Sequence, residues 1–548
     1  MKALAYPTVS ILFQVRALPA LNIKAVLLAG LIMLATGNSF AQNSYANTNR
    51  YIPNVQVSSP AIGGATDRNG ACVFNAQYNN HFSESWIAVD PNDSEHLVAM
   101  SKAFFDPLFY LFHVTSHVSF DGGKTWRTEI VPGFDCQSAP TNSWTATTDP
   151  ILAFDLSEGV YSNMGPFNFE YDTLGNQLFD LTPGSEISVV KSIDGGNIWR
   201  IANQNEPVVL YNSPGALITA DKQWLATDAH PRSPYKGNVY AAWTKFDGNT
   251  AEIFFSRSTD HGSSFSAPIQ VSSDTPDGPF NTYVFVSTAP DGIVYVTYAN
   301  FQPANDPMAH LWLAKSTDGG RTFSPPTFVA AFHHASFGQL ANTTFREGIV
   351  YSFTVNPANG HLLAVLEEDS GSGLDLKLIE SRDGGDTWSL PISINDNATV
   401  ADGTDQFQAT VAAASNGTVA VAFYDRRLPC PYNDPNILQQ DQGRTNFCID
   451  TSIQFFHDGG RDLEPIGSNI RVTKASWDPQ NPGKTTGQLP HPNGPIDNTT
   501  FIGDYFGLAL TDHEALALFV SNYDLGSNPA NDQQQVLGVV SIPIQSNR

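Results

Sequence analysis

The sequence predicts an all-β protein, a seven-bladed β-propeller of four-stranded antiparallel blades, with six blades as the alternative if two units merge. Three observations predict it. A short phrase, S-x-D-x-G-x-x-[WF], recurs along the 548 residues. Apolar alternation of period two precedes its copies, as in a half-buried strand. The composition, with 42 Gly, 36 Pro and only 15% charged residues, suits many short strands joined by turns. With 41% hydrophobic residues the chain is also too apolar for disorder.

The copies are "SFDGGKTW" at 119, "SIDGGNIW" at 192, "STDHGSSF" at 258, "STDGGRTF" at 316 and "SRDGGDTW" at 381. A worn copy, "FHDGGRDL", begins at 456. Their aspartates, Asp121, Asp194, Asp260, Asp318, Asp383 and Asp458, are spaced by 73, 66, 58, 65 and 75 residues. Strand-like runs such as "ISVVKS", "IFFSRS", "LWLAKS" and "LKLIES" lead into them. A strand followed by Asp-Gly or Gly-Gly reads as a hairpin turn, because glycine accepts the positive φ the turn requires. The Ser and Asp side chains can hold such a turn shut by bonding nearby N–H groups.

Two further strands precede each such run, for example "DKQWLATDAH" with "GNVYAAWTKF" and "DQFQATVAAAS" with "GTVAVAFYDRR". Three strands, a turn and a fourth strand make a propeller blade. A last unit, "FIGDYFGLALTD", "EALALFVSNYD" and "QQVLGVVSIPI", has three strands and no turn phrase. Its fourth strand is expected from "NVQVSS" at 54–59, which would close the ring and remove the exposed edge.

Residues 1–41 read as a signal peptide. Lys2, Arg16 and Lys24 precede the apolar run "AVLLAGLIMLATG", and the small residues of "SFA" allow cleavage after Ala41. The run is short for a membrane span, with an uncleaved anchor as the alternative. Residues 42–79 form an N-terminal segment that includes the ring-closing strand, and 80–548 form the propeller. The protein is expected to be secreted or periplasmic, and monomeric. Its 53 acidic and 28 basic residues give a net charge of −25, and removing the three basic residues of the signal gives −28. Such a surface excludes nucleic acid and anionic membrane as partners. Cys72, Cys136, Cys430 and Cys448 contain no C-x-x-C pair, which excludes a zinc site of that type. An even count in an exported chain predicts two disulfides, Cys430–Cys448 and Cys72–Cys136, out of three pairings the sequence permits.

At its repeated phrase the chain resembles the sialidase superfamily of Asp-box (BNR-repeat) propellers, over residues 80 to 545. That superfamily includes sialidases, other glycoside hydrolases, polysaccharide lyases and non-catalytic proteins. The resemblance implies that the Asp boxes are structural turns on the blade periphery, and that ligands bind on the opposite face, at the mouth of the central channel. It also implies that extracellular carbohydrate is the partner and that no cofactor is required.

The mouth is formed by the starts of each first strand and by the loops between second and third strands. The first-strand starts carry Glu84, Asp149, Asp221, Lys222, Tyr283, Arg346, Asp405, Gln406, Asp504 and Tyr505. The second-strand ends carry Tyr424, Asp425, Arg426 and Arg427. A sialidase needs three arginines to clamp a carboxylate, a Tyr nucleophile and an acid/base carboxyl. Tyr505, Asp504, Glu84 and Asp405 are the candidate catalytic residues. Arg346, Arg426, Arg427, Tyr424, Asp425 and Lys222 are the candidate substrate-binding residues. The superfamily's Arg-Ile-Pro triplet is absent near the first blade, where the nearby arginine is Arg68. Two carboxylates would suffice for another glycosidase. For a uronate lyase, His81, His310 or Tyr505 would serve as base. The same ring of acids could instead hold a structural Ca²⁺. The leading expectation is a sialidase-like glycoside hydrolase, with a polysaccharide lyase and a non-catalytic binding propeller as alternatives.

Overall fold

The computed structural model describes residues 53 to 543 apart from 59–61, 67–71, 78–80, 107–110, 132–143, 145, 158, 168–169, 172–176, 179–183, 200–206, 214–217, 249, 302–307, 335–339, 344, 346, 398–402, 460–461, 481–500, 524 and 526–531. The expected signal peptide and the Cys136 side of the expected Cys72–Cys136 pair lie outside these residues. No helix is present among the described residues.

Seven four-stranded antiparallel sheets follow one another along the chain and form a seven-bladed β-propeller. We number the blades in chain order by their innermost strands: Phe82–Asp90, Ala146–Phe154, Ile218–Thr227, Asn281–Thr288, Tyr351–Val355, Gln406–Ala413 and Gly507–Leu510. Blade 7 borrows its outermost strand from the other end of the chain. Asn54–Gln56 pairs antiparallel with Gln534–Ser541, with Val55 opposite Leu537. Ring closure therefore uses the strand expected from the sequence, and the six-blade alternative is excluded. The hairpin Ile62–Thr66 with Cys72–Gln77 was not anticipated.

The repeated turn works as its residue types dictate. In blade 4, Ser316 Oγ donates to Asp318 Oδ1 at 2.8 Å and accepts from Gly320 N at 2.9 Å. The N–H groups of Arg321 and Thr322 each donate to Oδ1 at 2.9 Å, and the Thr322 hydroxyl donates to Oδ2 at 2.7 Å. One carboxylate thus satisfies an entire turn. Gly320 sits at φ +77°, where a Cβ would approach the Phe255 ring of blade 3 to 2.8 Å. Phe323, the last residue of the phrase, packs edge-on against that same ring, centroids 4.8 Å apart. The phrase therefore fastens each turn to the blade before it.

The worn copy departs from this geometry. Phe456 stands where the other copies carry the Ser, and Asp462 where four of the five carry a Thr or Ser hydroxyl. Asp458 instead accepts from Asn356 Nδ2 at 2.7 Å and Asn359 Nδ2 at 2.9 Å, both in blade 5. It is a link between blades rather than a turn staple, because the hydroxyls that would hold it in the turn are gone.

Desolvation pushes the Asp318 carboxyl upward, but the hydrogen bonds from Thr322, Ser316 and Arg321 hold it at about 2. A depressed carboxylate contributes stability that is present above its unfolded value and lost as the pH falls through about 2. Asp318→Ala is therefore expected to lower stability by about 1–2 kcal/mol at pH 7. The difference between wild type and variant should shrink between pH 4 and pH 2 in denaturant titrations. An unchanged denaturation midpoint at pH 7 would remove the turn-staple role.

Candidate functional site

The innermost strands of five blades begin with the same irregularity. Two residues on the inner strand face one on its neighbour, at Glu84–Ser85, Asp149–Pro150, Lys222–Gln223, Tyr283–Val284 and Gln408–Ala409. The first residue of each pair has a left-handed backbone: φ is 51° at Glu84, 55° at Asp149, 53° at Lys222, 54° at Tyr283 and 46° at Gln408. Such a bulge bends the strand and re-aims one side chain. Glycine would adopt this conformation with less strain, yet four of the five positions hold ionisable side chains. Blade 7 does carry a glycine, Gly503 at φ 96°, whose missing Cβ lets the backbone pass the Glu84 nitrogen; a Cβ there would lie 2.6 Å away.

The re-aimed side chains meet across blades. Lys222 Nζ lies 2.6 Å from Asp504 Oδ2, 3.6 Å from Asp149 Oδ2 and 3.7 Å from Asp221 Oδ2, so one ammonium bridges blades 2, 3 and 7. Lys102, on the second strand of blade 1, lies 2.8 Å from Glu84 Oε2. The Thr148 hydroxyl sits between two acids, 2.6 Å from Glu84 Oε2 and 2.7 Å from Asp149 Oδ1. Glu84, Asp149, Asp504 and Lys102 are buried, whereas Asp221 keeps 26% and Lys222 14% of the side chain exposed. The network thus opens to solvent at Asp221 and Lys222.

Its protonation is uneven. Burial, followed by the Asp149 charge, pushes Glu84 up to about 8 against the opposing pull of Lys102. Burial also acts upward on Asp149, but Lys222, the hydrogen bond with Glu84 and Lys102 hold it at about 2. Desolvation lifts Asp221 to about 6, with Asp149 adding to the rise and Lys222 opposing it. Neighbouring carboxyls whose environments drive them apart are the arrangement that divides acid and base roles.

Beneath this layer the channel is filled with aromatic rings. Trp86 meets Trp224 at 4.7 Å and Tyr505 at 5.9 Å, and Trp224 meets Phe285 at 4.1 Å. Trp86, Trp224 and Phe285 are each the first residue after a bulge, so the same irregularity builds both layers.

The predicted site residues therefore divide. Glu84, Asp504 and Lys222 come together at the mouth. Tyr505 lies below them in the aromatic layer, its hydroxyl donated to the Pro150 carbonyl at 3.0 Å and its ionisation pushed well up by burial. The other candidates belong to an internal network of blade 6. Arg426 pairs with Asp405 at 2.9 Å and donates to the carbonyls of Ala341, at 2.8 Å, and Asn446. Arg427 turns the other way, to Asp425 at 2.8 Å, to Asp396 and to Asn469 Oδ1 at 2.9 Å. Tyr424 is buried among Phe407, Trp477 and Phe506. This network supports the Cys430–Cys448 disulfide loop, which is present as expected. Arg346 lies outside the described residues.

His81 is buried, 3.3 Å from Asp532, and His310 lies 2.7 Å from Asp277. The mouth acids face Lys102 and Lys222. Lys102 and Thr148 were missed in the sequence. A lysine inside the apolar strand Asp93–Asp106 was the available signal for the first, and nothing distinguished the second.

No protein-family profile matches the chain, and no curated sequence matches it either. Among solved structures, a Hadza microbial sialidase is 16% identical, with a TM-score of 0.41, covering 63% of this chain and 63% of that one. A Trypanosoma rangeli sialidase bound to the inhibitor DANA is 13% identical, TM-score 0.39, covering 89% of this chain and 59% of its own. An α-L-arabinofuranosidase from Fusarium graminearum is 13% identical, TM-score 0.41, covering 77% of this chain and 99% of its own. This chain thus spans less than two thirds of either sialidase. At these identities and scores the likeness is one of general architecture and assigns no residue a role.

Two measurements test the network. Above about pH 8, where Glu84 ionises, Lys102→Met leaves that buried carboxylate without its cation and is expected to destabilise the fold by about 3 kcal/mol or more. Adding Glu84→Gln should restore much of that loss, whereas simple additivity in the double-mutant cycle would disconnect the two residues. The second concerns pH. With Glu84 lifted from its ordinary 4.5 to about 8, the folded state keeps a proton that the unfolded chain releases. Its contribution to stability is full below 4.5 and is lost as the pH rises through about 8. Glu84→Gln should flatten the stability curve across that window, and an unaltered slope would contradict the assignment.

Proposed function

We propose that the chain is an exported glycoside hydrolase that cleaves a glycan at the channel mouth. Asp221 is its proton donor and Asp504, ion-paired with Lys222, is the opposing carboxylate. One observation carries the reading: Asp221 is the most exposed acid of the network and is held partly protonated near neutral pH by desolvation and by the Asp149 charge. A raised, accessible carboxyl beside an ion-paired one fits glycoside cleavage, in which the first protonates the departing glycosidic oxygen as the C–O bond breaks and the second attacks the anomeric carbon or takes a proton from an attacking water. Lys222 bridges both groups, which keeps them close enough to flank one bond. Export is supported by the Cys430–Cys448 disulfide, since such bonds persist in oxidising compartments. Among the described residues no helix is long and apolar enough to cross a membrane.

The guanidiniums of Arg426 and Arg427 are spent on internal carboxylates, so the reading does not require a sialic acid. Neutral glycosides and arabinofuranosides belong in the screen beside sialosides. A second reading, a non-catalytic glycan-binding propeller, is favoured by the burial of Glu84, Asp149 and Asp504, only 1–3% exposed.

The test is a digestion screen with fluorogenic glycosides and polysaccharides, run on wild type and on Asp221→Asn. Hydrolysis by wild type with about a 100-fold or greater loss of turnover in the folded variant is the expected result. Release of an unsaturated uronate would replace hydrolysis with elimination. Glycan retention without release of any product would establish the binding propeller instead.

A further inference from the structure

On the face opposite the mouth, between blades 5 and 6, three side chains converge as metal ligands do. His361, Glu380 and Asp458 each offer one ligand atom, and these three atoms all lie within 4.8 Å of one another. His361 stands immediately before the second strand of blade 5, Leu362–Asp369, and Glu380 is near the end of its third strand, Leu374–Ser381. Asp458 follows the third strand of blade 6, Asp450–His457. This is the aspartate of the worn repeat, released from its turn by the loss of the Ser and Thr hydroxyls.

The hydrogen bonding is incomplete in a particular way. Asn356 and Asn359 donate to Asp458 Oδ2 at 2.7 and 2.9 Å, which leaves Oδ1 facing His361 Nδ1 at 2.9 Å. Glu380 Oε1 lies 3.0 Å from the same ring nitrogen. Asp458 Oδ2 is 3.1 Å from it as well, and a ring nitrogen carries at most one proton, so three oxygens of two carboxylates compete for it. Arg382 balances part of the charge, with Nη2 donating to Glu380 Oε2 at 3.0 Å and Nε 2.9 Å from Oε1. Glu380 Oε1 nevertheless has no aligned hydrogen-bond donor, in a residue only 7% exposed. A buried acceptor left in this state calls for an explanation.

We propose that this pocket binds a divalent transition-metal ion of the zinc class, with His361 Nδ1, Glu380 Oε1 and Asp458 Oδ1 as ligands and water completing the shell. A cation in place of the single proton serves all three lone pairs at once. One imidazole nitrogen with two carboxylates suits Zn²⁺, whereas Ca²⁺ takes six to eight oxygens. Ligand atoms about 2.0–2.2 Å from a tetrahedral Zn²⁺ lie roughly 3.3 Å apart, so His361 needs to part from each carboxylate by only a few tenths of an ångström. Arg382 is 29% exposed and can retain its bond to Oε2. The ion would join two blades at the point where the repeated turn is worn.

The test uses the full chain stripped with a chelator. Calorimetric titration with Zn²⁺ should show one equivalent bound with a raised melting temperature, and Ca²⁺ should produce neither. Because the chain holds 13 histidines, variants decide the location. His361→Gln and Glu380→Gln are each expected to weaken Zn²⁺ binding at least 10-fold. Unchanged affinity in either variant, or no saturable site in wild type, overturns the proposal. Should His361→Gln fail to fold, Co²⁺ titration of wild type decides. Intense visible bands saturating at one equivalent and erased by Zn²⁺ support the site, whereas the weak spectrum of hydrated Co²⁺ overturns it.

Discussion

The left-handed bulge at the head of five innermost strands is the constraint on which the rest of this molecule depends. It recurs at Glu84, Asp149, Lys222, Tyr283 and Gln408 with φ between 46° and 55°. A non-glycine residue held there costs on the order of 1 kcal/mol or more. That strain persists because bulges are clamped by polar contacts, most of them from a neighbouring blade. Thr148 and Lys102 hold Glu84, Gln223 donates to the Asp149 carbonyl at 2.9 Å, and Gln408 Nε2 donates to the Gly503 carbonyl at 2.7 Å. The contacts that close the ring are therefore those that aim side chains at the axis. A glycine in each place would relax the backbone and leave the mouth without chemistry.

The two ends of each blade answer different demands. At the repeated turn, one aspartate satisfies several nearby N–H and hydroxyl donors within five residues of sequence. Such an aspartate needs no partner beyond its own turn, and its carboxylate is fully committed. At the mouth, the partners of the charged groups lie farther away in the chain. Glu84 depends on a lysine one strand away, and Asp504 depends on a lysine 282 residues earlier in the chain. Local closure makes the turn repeatable. Dependence across blades gives the mouth residues that differ from blade to blade.

This difference explains what could be read from the sequence. The turn phrase needs only neighbours in sequence, so its spacing phased the blades, and the unpaired last unit pointed to "NVQVSS" as the closing strand. Four of the five bulge heads, Glu84, Asp149, Lys222 and Tyr283, were also legible as residues at the start of an inner run, whereas in blade 6 the residues expected there were Asp405 and Gln406 instead of Gln408. Which of them converge was not legible, because convergence depends on ring geometry. Arg426 and Arg427 illustrate the limit. "FYDRR" has the composition of a carboxylate clamp and equally of a buried ion-pair network, and the choice turns on Asp396, Asp405 and Asn469, all distant in sequence. Tyr505 is similar. Its place in the last blade fits a nucleophile, but being two residues past a left-handed position puts it in the same layer as Trp86 and Trp224.

Charge balance ties the mouth into a single unit. Glu84, Asp149, Asp221 and Asp504 bring four carboxyls, and Lys102 and Lys222 bring two ammoniums. In a site this buried the excess cannot stay uncompensated, because desolvated charge is expensive unless paired. Protons supply the difference, and burial together with the Asp149 charge selects Glu84 and Asp221 to carry them. Lys222 and Lys102 keep Asp149 ionised, whereas Glu84 and Asp221 are driven towards their protonated forms. Of these, Glu84 is closed off behind Thr148 and Lys102, while Asp221 faces solvent. The outward-facing acid of the network is therefore Asp221, whose next residue, Lys222, lies 2.6 Å from Asp504 and 3.6 Å from Asp149.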